Sequence, residues 1–331
     1  MTEYNIRFAT QEDIGAIMSF IDANWRKNHI LSRDKKLFEW QYIDDNNVNM
    51  VIGEDMEGEI QAILGYIPYS SGKEKDISLA LWKAKEGTNF LGVKLLLFLL
   101  EKIPHRNVFC NGINMETTAI IYQRLGMKTG DLKQWYRLGN KKDYKIARIV
   151  DRRLPDINKQ VNVKLERIKD IDTLLKNLNE KMFDTHMVPF KSMFYVAKRY
   201  FEHPLYEYLI YMICVNEEKG DTAIVFRIQE YNSSKVLRLI DVIGDYSKLA
   251  CITDEIDKLV KQFGAEYVDM YEVGLDDTML YKSGWLKVGE NENIIPNYFA
   301  PYTQQNVTIH MCSKNEQIVL FKGDGDQDRP N

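Results

Sequence analysis

Residues 86–92 read EGTNFLG and stand directly before the apolar segment VKLLLFLLEKI, which has the character of a buried helix. At the start of a helix, backbone N–H groups converge and the helix dipole favours negative charge. Glycine lets the backbone approach a ligand closely, and this turn also offers a hydroxyl and an amide side chain. The stretch is therefore a candidate pyrophosphate-binding turn, and its alternative interpretation is an ordinary strand-to-helix turn.

A second candidate for chemistry is a tyrosine near a glycine. Tyr122 stands four residues before Gly126 in IIYQRLGMKTG, and MLYKSGWLKVG near the other end of the chain is an imperfect echo. A phenol within hydrogen-bond reach can protonate a leaving group. In the echo the residue four before Gly284 is Leu280, and Tyr281 is displaced by one position, about 100° around a helix. The spacing predicts that only the first stretch does chemistry; the alternative for its tyrosine is packing between helix and sheet.

Composition limits the class of partner. The chain has 331 residues, enough for about two domains, and its formal net charge of -4 argues against a broad surface for nucleic acid or anionic membrane. The first residues contain no apolar leader, and the longest apolar run, at 90–100, is too short to span a bilayer. We expect a cytoplasmic protein with a small-molecule partner. Four cysteines lack metal-ligand spacing and are expected to be reduced: Cys110, Cys214, Cys251 and Cys312.

The order of predicted elements occurs twice along the chain. The first half begins with a strand and a helix with a capping box at Thr10 and Asp13, whose buried face is predicted at Ile14, Ile17, Met18 and Ile21. It continues through a helix, three strands, helix, strand, helix and strand. A charged connection follows, and the same order starts again at VNVKLER and closes with the strands around WLKVG and NVTIHMCS. Two halves with one element order imply two copies of one fold. We predict an α/β (α+β) class with a mixed, mostly antiparallel sheet flanked by helices in each half: residues 1–140, a linker at 141–160, and residues 161–331.

The turn before the buried helix, together with the Tyr–Gly spacing, resembles the GNAT (GCN5-related) N-acyltransferase superfamily, here as a tandem pair. In that family the turn reads Gln/Arg-x-x-Gly-x-Gly/Ala and a pair of aliphatic residues follows. This sequence keeps the last glycine, Gly92, and the aliphatic pair Leu95 and Leu96. It has Phe90 at the middle glycine and Gly87 at the Gln/Arg position. The resemblance covers nearly the whole chain as topology and is specific at these two places in the first half.

This resemblance implies an acyl-CoA cofactor, acetyl-CoA or another acyl-CoA. The glycine-containing turn would bind the pyrophosphate, and backbone N–H groups around Leu81 would polarise the thioester carbonyl. Tyr122 would protonate the departing thiolate, and Asn114 lies one place from the family's asparagine position at Met115. The residues that the resemblance assigns to cofactor binding are Leu81, Trp82, Lys83, Gly87, Thr88, Asn89, Phe90, Leu91, Gly92 and Asn114.

An amine acceptor needs a base, because an ammonium group must lose a proton before it attacks. The candidates are Glu86 at the end of the third strand, Glu116 at the start of the tyrosine helix, and His29 in NWRKNHILS. His29 is equally explained as a loop histidine. Trp40 and Tyr42 belong to helical segments that wall the acceptor site in the resembled family, and each is also a candidate for the core.

A cluster in the second half allows two interpretations. His203 lies among tyrosines in RYFEHPLYEY, and Arg238 and Asp241 lie on one predicted strand. Aromatic edge packing with solvated charges would explain them, and so would an acceptor pocket with aromatic faces for a sugar or nucleobase ring and arginines for a phosphate or carboxylate. Together with His29 and Trp40, these three residues are predicted to bind the acceptor.

The last residues, GDGDQDRPN, have the spacing of the first ligands of a calcium loop at Asp324, Asp326 and Asp328. Arg329 occupies the glycine position of such a loop and no twelfth ligand follows, so the motif fails. We expect a solvated tail and no metal site.

The expected reaction is transfer of an acetyl or other acyl group from coenzyme A to a primary amine of a small acceptor, directly within a ternary complex. An amino sugar, including a nucleotide-linked one of surface polysaccharide biosynthesis, suits the aromatic and arginine cluster. Two alternatives stay open. One is an aminoacyl-tRNA-dependent transferase of the peptidoglycan-precursor type, which the acidic balance disfavours; the other is a non-enzymatic binding protein with a GNAT-like fold. The sequence does not indicate the oligomeric state.

Overall fold

The computed structural model describes residues 3–72, 74–155, 162–177, 180–216 and 220–330. The first half begins with a short strand and three helices and then alternates strands and helices. Its elements are β1 (Asn5–Phe8), α1 (Ile14–Asn24), α2 (Ile30–Arg33), α3 (Lys35–Tyr42), β2 (Ile43–Asp44), β3 (Asn47–Val48), β4 (Met50–Glu54), β5 (Ile60–Pro68), β6 (Lys75–Ala84), α4 (Leu91–Lys102), β7 (His105–Asn111), α5 (Thr118–Arg124) and β8 (Lys128–Leu138).

The second half repeats this order with shorter helices before its hairpin strands. Its elements are β9 (Val163–Ile168), α6 (Ile171–Asn177), α7 (Met193–Val196), β10 (Leu209–Val215), β11 (Thr222–Tyr231), β12 (Ser234–Gly244), α8 (Thr253–Phe263), β13 (Tyr267–Val273), α9 (Asp277–Lys282), β14 (Leu286–Lys287), β15 (Ile309–Ser313) and β16 (Leu320–Phe321).

One large sheet joins the two halves. Its strand order is β1-β4-β5-β6-β7-β15-β8-β13-β12-β11-β10-β9, with β14 beside β8 and β16 beside β13. The pairs β6–β7 and β12–β13 are parallel, and the other pairs of this sheet are antiparallel. The predicted α/β class, with a mixed, mostly antiparallel sheet flanked by helices, is confirmed.

Strand β15 lies between two strands of the first half. Cys312 pairs with Cys110 of β7 on one side and with Thr129 of β8 on the other. We expected the strand in NVTIHMCS to close the second half, and this was wrong, because strand pairing over such a distance leaves no trace in local apolar periodicity. The division into residues 1–140, 141–160 and 161–331 stays a prediction, and residues 156–161 lie outside the described ranges.

Helices cover both faces of the first-half strands. Alternate strand residues point to opposite faces, so Val51 packs with α4 and α5, whereas its neighbour Ile52 packs with α1, α2 and α3. The predicted buried face of α1 is confirmed at Ile17 and Ile21, both fully buried. None of the helices in the described ranges has the length and apolar content needed to cross a bilayer.

Candidate active site

The parallel strands β6 and β7 separate partway along their length. Their pairing runs from Lys75 opposite His105 to Ser78 opposite Phe109. Both strands continue, β6 as far as Ala84, but in the part of the chain that the structure describes they do not pair further. A fork therefore opens in the sheet, between the strand that leads into α4 and the strand that leads into α5.

A β-bulge lies on one arm of this fork. Leu64 of β5 pairs with Trp82 and Gly65 pairs with Ala80, so Leu81 is the extra residue of β6. A bulge leaves its extra residue out of the ladder, and Leu81 has a φ of 51°. The ladder of β6 is thereby interrupted beside the fork, and the role of this backbone in polarising a carbonyl stays a prediction.

Tyr42 of α3 packs directly over the bulge. A Cβ atom added to Gly65 would lie 2.7 Å from the Tyr42 ring and 3.2 Å from the Ala80 carbonyl oxygen, so only glycine fits there. The Tyr42 hydroxyl is buried and has no hydrogen-bond partner among the described residues. A buried hydroxyl without a partner is unusual. A ligand atom could therefore form a hydrogen bond with the Tyr42 hydroxyl.

Tyr122 of α5 lies at the other arm of the fork. Its side chain is 2% exposed and adjoins the Cys110 thiol of β7, and its ring centroid lies 5.5 Å from that of Trp82. Burial, and then the neighbouring thiols of Cys110 and Cys312, raise the pKa of Tyr122 well above its ordinary value. The phenol therefore keeps its proton at neutral pH and can act as an acid.

The echo in the second half shows the predicted difference. Gly126 and Gly284 both have a φ of 78°, so the two stretches end in the same left-handed turn. Leu280 takes the buried place that corresponds to Tyr122, whereas Tyr281 is 42% exposed. The shift of one residue in the sequence thus turns the second tyrosine to the surface.

The fork of the second half is filled by the chain itself. Strands β12 and β13 pair in parallel from Leu237 to Leu239, and β16 then pairs with Glu272 and Val273 of β13. Phe321 of β16 is fully buried there. Because β16 lies against β13 there, and because Leu280 stands in the place of Tyr122, we assign the candidate site to the first half.

The turn between β6 and α4 is held by its own side chain and backbone. The Thr88 hydroxyl donates to the Lys85 carbonyl at 2.7 Å, and the Leu91 amide donates to the Thr88 carbonyl at 3.1 Å. Asn89 and Phe90 have φ of 42° and 62°. The family's glycine at the position of Phe90 fits this left-handed backbone, and here the exposed phenylalanine adopts the same conformation.

Gly92 begins the first turn of α4 against the fork. The Trp82 indole N–H donates to the Gly92 carbonyl at 3.1 Å, and a Cβ atom at Gly92 would lie 3.0 Å from that indole nitrogen. The first amide groups of a helix lack intrahelical acceptors. The glycine thus lets α4 begin close to β6, where those amides face the turn.

The last residues of the chain run along the base of the fork. A Cβ atom on Gly325 would lie 2.7 Å from the Ser78 hydroxyl oxygen, at the point where β6 and β7 separate. The Asn111 amide donates to the Asp324 carbonyl at 3.0 Å, and the Gln327 side chain packs against Gly112. Our expectation of a solvated tail was wrong.

Buried ion pairs explain why such a polar tail can lie inside the protein. Lys191 lies between Asp241, at 2.5 Å, and Asp324, at 3.0 Å, and all three side chains are nearly or fully buried. Arg227 binds Asp328 through two nitrogens, at 3.2 and 2.5 Å. Each of these buried charges has a partner, as such charges require. The residues that provide these partners are remote in sequence.

Asp328 and Asp324 differ in their electrostatics. Burial opposes the ionisation of Asp328, but the Arg227 and Arg199 charges outweigh it and lower the pKa of this carboxyl to about 2. Burial raises the pKa of Asp324 to about 6, against the opposing Lys191 charge and with support from Asp241. Of these two carboxyls, Asp324 therefore has the pKa closer to neutral pH.

This raised pKa predicts a pH-dependent stability. A carboxyl whose pKa is raised on folding adds stability below its unfolded pKa, and that contribution is lost as the pH rises through about 6. Asparagine imitates the protonated carboxyl. From about pH 4.5 to about pH 7.5, wild type should therefore lose about 2 kcal/mol of unfolding free energy relative to Asp324→Asn.

Urea unfolding of both proteins across this range measures that loss as a difference. Burial lowers the pKa of His29 to about 4 and that of His203 to about 3, and these histidines titrate alike in both proteins and cancel. A difference that stays constant across the range would show that Asp324 has an ordinary pKa.

Asp326 is a candidate site residue that the sequence did not reveal. Its side chain is 7% exposed, and its charge lies near enough to Tyr42 and Cys110 to contribute to the raised pKa of both. Arg329 forms an ion pair with it. The carboxylate thus influences the electrostatics of both Tyr42 and Cys110. The regular spacing of the aspartates in the tail was the sequence signal for Asp326, but we interpreted that spacing only as a failed calcium motif.

A large cleft adjoins the fork on the side of the second half. Its volume is about 1020 Å³. Gly112 and Asp326 line it, and residues 297–301, the last five of PNYFAP, form a wall together with Thr303. Arg26 and Arg227 also line it. The cleft therefore leads from solvent to Gly112, directly after β7, and to Asp326 of the tail.

The predicted acceptor residues lie around this cleft rather than together in it. His29 stacks on Trp25 with ring centroids 4.6 Å apart, and its Nδ1 accepts from the Leu31 amide. His203 packs against Trp40, with centroids 4.3 Å apart, and its Nδ1 accepts from two backbone amides. These contacts show how both side chains are held, and their role in acceptor binding stays a prediction.

Arg238 and Asp241 are fully buried. Arg238 binds both oxygens of Asp269, at 2.8 and 2.7 Å, and Asp241 accepts from Lys191 and from the Tyr200 hydroxyl. Arg238 also donates to Asn297, so it lies beneath one wall of the cleft. Their predicted role in acceptor binding stays a prediction.

The predicted bases and the remaining cofactor residues lie on the rim. Glu86 and Glu116 are exposed, and Asn114 uses its side-chain oxygen to accept from the Glu116 amide at 2.8 Å. Lys83 of β6 is half-buried beside the bulge. Within the described ranges, no group of three or more His, Cys, Asp and Glu side chains is placed to hold a metal ion.

Solved structures show what this chain resembles. A GCN5-related N-acetyltransferase from Anabaena variabilis superposes on 94% of this chain and 72% of its own, with a TM-score of 0.58 and 11% identity. A protein from Enterococcus faecalis, described as a probable N-acyltransferase, covers the same shares with a TM-score of 0.58 and 7% identity. No family model and no curated protein sequence matches. The chain therefore has the GNAT fold.

Proposed function

We propose that this protein is an acyl-CoA-dependent N-acyltransferase whose active site is the fork between β6 and β7. The observation that carries the proposal is the fork itself, with a bulge at Leu81 on one arm and the buried phenol of Tyr122 on the other. An extended thioester arm can lie between two separated strands and use their free backbone groups, much as an added strand would.

The cofactor's phosphates would lie at the N-terminus of α4. The turn at 86–92 ends in left-handed residues and places the first amides of the helix beside the β6 arm. Such amides and the helix dipole favour an anion. The specific acyl-CoA is part of the proposal, and acetyl-CoA is the first to test.

The transfer step needs an electrophile, a base and an acid. The backbone amide at Leu81 would donate to the thioester oxygen as it gains charge. The amine attacks the carbonyl carbon, the carbon–sulfur bond breaks, and Tyr122 gives its proton to the departing thiolate. The surplus proton on the acylated nitrogen passes through water to the tyrosinate, and the amide product and the free thiol then leave.

Asp326 would take the proton that the attacking ammonium must lose, directly or through a water. Its position in the lining of the cleft, and its electrostatic influence on Tyr42 and Cys110, support this role better than the rim positions of Glu86 and Glu116. The cleft supports a small acceptor that carries a primary amine, and its aromatic wall suits a ring such as that of an amino sugar.

Release of free thiol from acetyl-CoA, followed with a thiol reagent in the presence and absence of primary amines, tests this function. We expect release that depends on the amine and saturates with it. Longer acyl-CoAs are tested in parallel, since the acyl group is open. Amine-dependent release with none of these thioesters would contradict the proposal.

Asp326→Asn should slow transfer by roughly 10-fold to 100-fold near pH 7. The deficit should shrink as the pH rises, because a larger fraction of the amine then arrives without its extra proton. The measurement is the pH profile of kcat/KM, with the exposed Asp131→Asn as control. A deficit that is the same at every pH would remove Asp326 as the base.

Lys94→Glu should weaken acyl-CoA binding by about tenfold at low salt, because Lys94 is exposed on the first turn of α4, beside the proposed phosphate site. Lys102→Glu, at the other end of the same helix, is the matched control and should change little. Calorimetry measures both. Equal weakening by the two variants would place the phosphates elsewhere.

A further inference from the structure

Lys322 is a buried lysine that lines the cleft beside the fork. Its side chain is 4% exposed, it donates to the Asn297 side-chain oxygen, and its Nζ lies 5.3 Å from the Tyr271 ring centroid. Among residues 3–72, 74–155, 162–177, 180–216 and 220–330 it has no ion-pair partner. A buried amine in that situation lacks the counter-charge that buried charges require.

The charged groups nearest to Lys322 are already paired with one another. Arg238 binds Asp269 with both carboxylate oxygens, and Arg227 does the same with Asp328. Burial, and then the Arg238 charge, lower the pKa of Lys322 well below its ordinary value. The empty cleft therefore has a place for one negative charge next to this amine.

Asn297 offers a second free donor at the same place. Its side-chain oxygen accepts from Lys322 and, at 3.1 Å, from Arg238, which fixes the orientation of the amide. Its Nδ2 is buried and has no partner among the described residues, although the residue is only 3% exposed and lines the cleft. Such an orphan donor calls for an acceptor atom.

We propose that Lys322 and Asn297 form a binding site for an acidic group, a carboxylate or a phosphate, of the ligand that occupies the cleft. Lys322 takes up a proton as the acid binds, and the Asn297 amide donates to one of its oxygens. The same cleft is also lined by Gly112 and by Asp326, the proposed base. A ligand held by its acidic group thus extends toward the transfer site.

The acceptor would then be an amine that also carries an acid. That identification rests on the proposed function, whereas the anion site itself rests only on Lys322, Asn297 and the charges around them. A plain amine would leave both buried groups unpartnered. The site should discriminate strongly between amines that carry an acid and plain amines, because a site built around buried polar groups rejects ligands that cannot form hydrogen bonds with them.

Calorimetry with matched probes and no acyl-CoA tests the site. Ethanolamine is compared with phosphoethanolamine, and propylamine with β-alanine, so that one pair adds a phosphate and the other a carboxylate. We expect the acidic member of at least one pair to bind at least tenfold more tightly than its plain amine, and which pair shows this identifies the acid. Titrations in buffers of different ionisation enthalpy should show uptake of about one proton.

Two variants decide the assignment to Lys322 and Asn297. Lys322→Met keeps the length and removes the amine, and Asn297→Asp places a fixed carboxylate beside the lysine. Both should abolish the preference for the acidic probe and the proton uptake, and Asn297→Asp should also raise the Tm. Lys36 is exposed, and Lys36→Met removes the same charge elsewhere. This variant should leave the preference for the acidic probe and the proton uptake unchanged.

Equal binding of acidic and plain probes by wild type would overturn the proposal, as would an acidic preference that persists in either variant. A protein that binds acyl-CoA but shows no such preference loses the anion site and retains the proposed transferase. A protein with the preference but without acyl-CoA binding keeps the anion site and loses the transferase.

Discussion

Tyr122→Phe should lower kcat by roughly 100-fold to 1,000-fold and leave the affinity for acyl-CoA nearly unchanged. The hydroxyl is the group we place at the departing thiolate, and burial keeps it protonated at neutral pH. Removing one oxygen leaves the ring packed against Trp82, so the fold should persist. Steady-state kinetics with acyl-CoA and amine, and a separate binding titration, measure the two quantities.

The second half supplies the control. Tyr281→Phe alters the echoing tyrosine, which is exposed and remote from the β6–β7 fork, and should leave kcat unchanged. If Tyr122→Phe keeps the wild-type kcat, Tyr122 has no part in the proton transfer. If both variants lose activity equally, the assignment of the site to the first half is wrong.

Arg238→Ala should destabilise the protein by about 3 to 5 kcal/mol. The guanidinium and its partner Asp269 are both fully buried, and truncation leaves the carboxylate without its charge partner. The Asn297 and Pro296 carbonyls lose donors as well. Urea unfolding of the variant gives the loss directly.

Lys235→Ala is the control. Lys235 lies on β12, as Arg238 does, and pairs with Glu230 on the surface. We expect a loss of at most about 1 kcal/mol, as for other exposed pairs. Arg238→Met combined with Asp269→Leu should recover most of the stability that Arg238→Ala loses, because the buried charge goes with its partner. If Arg238→Ala keeps wild-type stability and weakens acceptor binding instead, the sequence-based role of Arg238 in binding is right.

Local patterns predicted the parts of the fold that local physics determines. The 3.6-residue periodicity of α1 predicted the burial of Ile17 and Ile21, and the apolar character of α4 predicted its place against the sheet. The one-residue shift of Tyr281 predicted its exposure. Each of these depends on neighbours within a few positions along the chain.

Long-range pairing accounts for what the sequence did not reveal. The tail sequence GDGDQDRPN is typical of solvated segments, yet Asp324 binds Lys191, 133 positions away, and Asp328 binds Arg227, 101 positions away. No local pattern connects these residues. The insertion of β15 beside β7 is of the same kind. The position of Asp326 likewise depends on contacts between the tail and residues that are remote in sequence.

Titration of acyl-CoA into the protein tests the central claim most directly. We predict saturable binding of acetyl-CoA or of a longer acyl-CoA, with micromolar to submillimolar affinity. Binding should weaken in Lys94→Glu and persist in Tyr122→Phe. If none of these thioesters binds at millimolar concentration, the β6–β7 fork is not an acyl-CoA site and the proposed transfer reaction is contradicted.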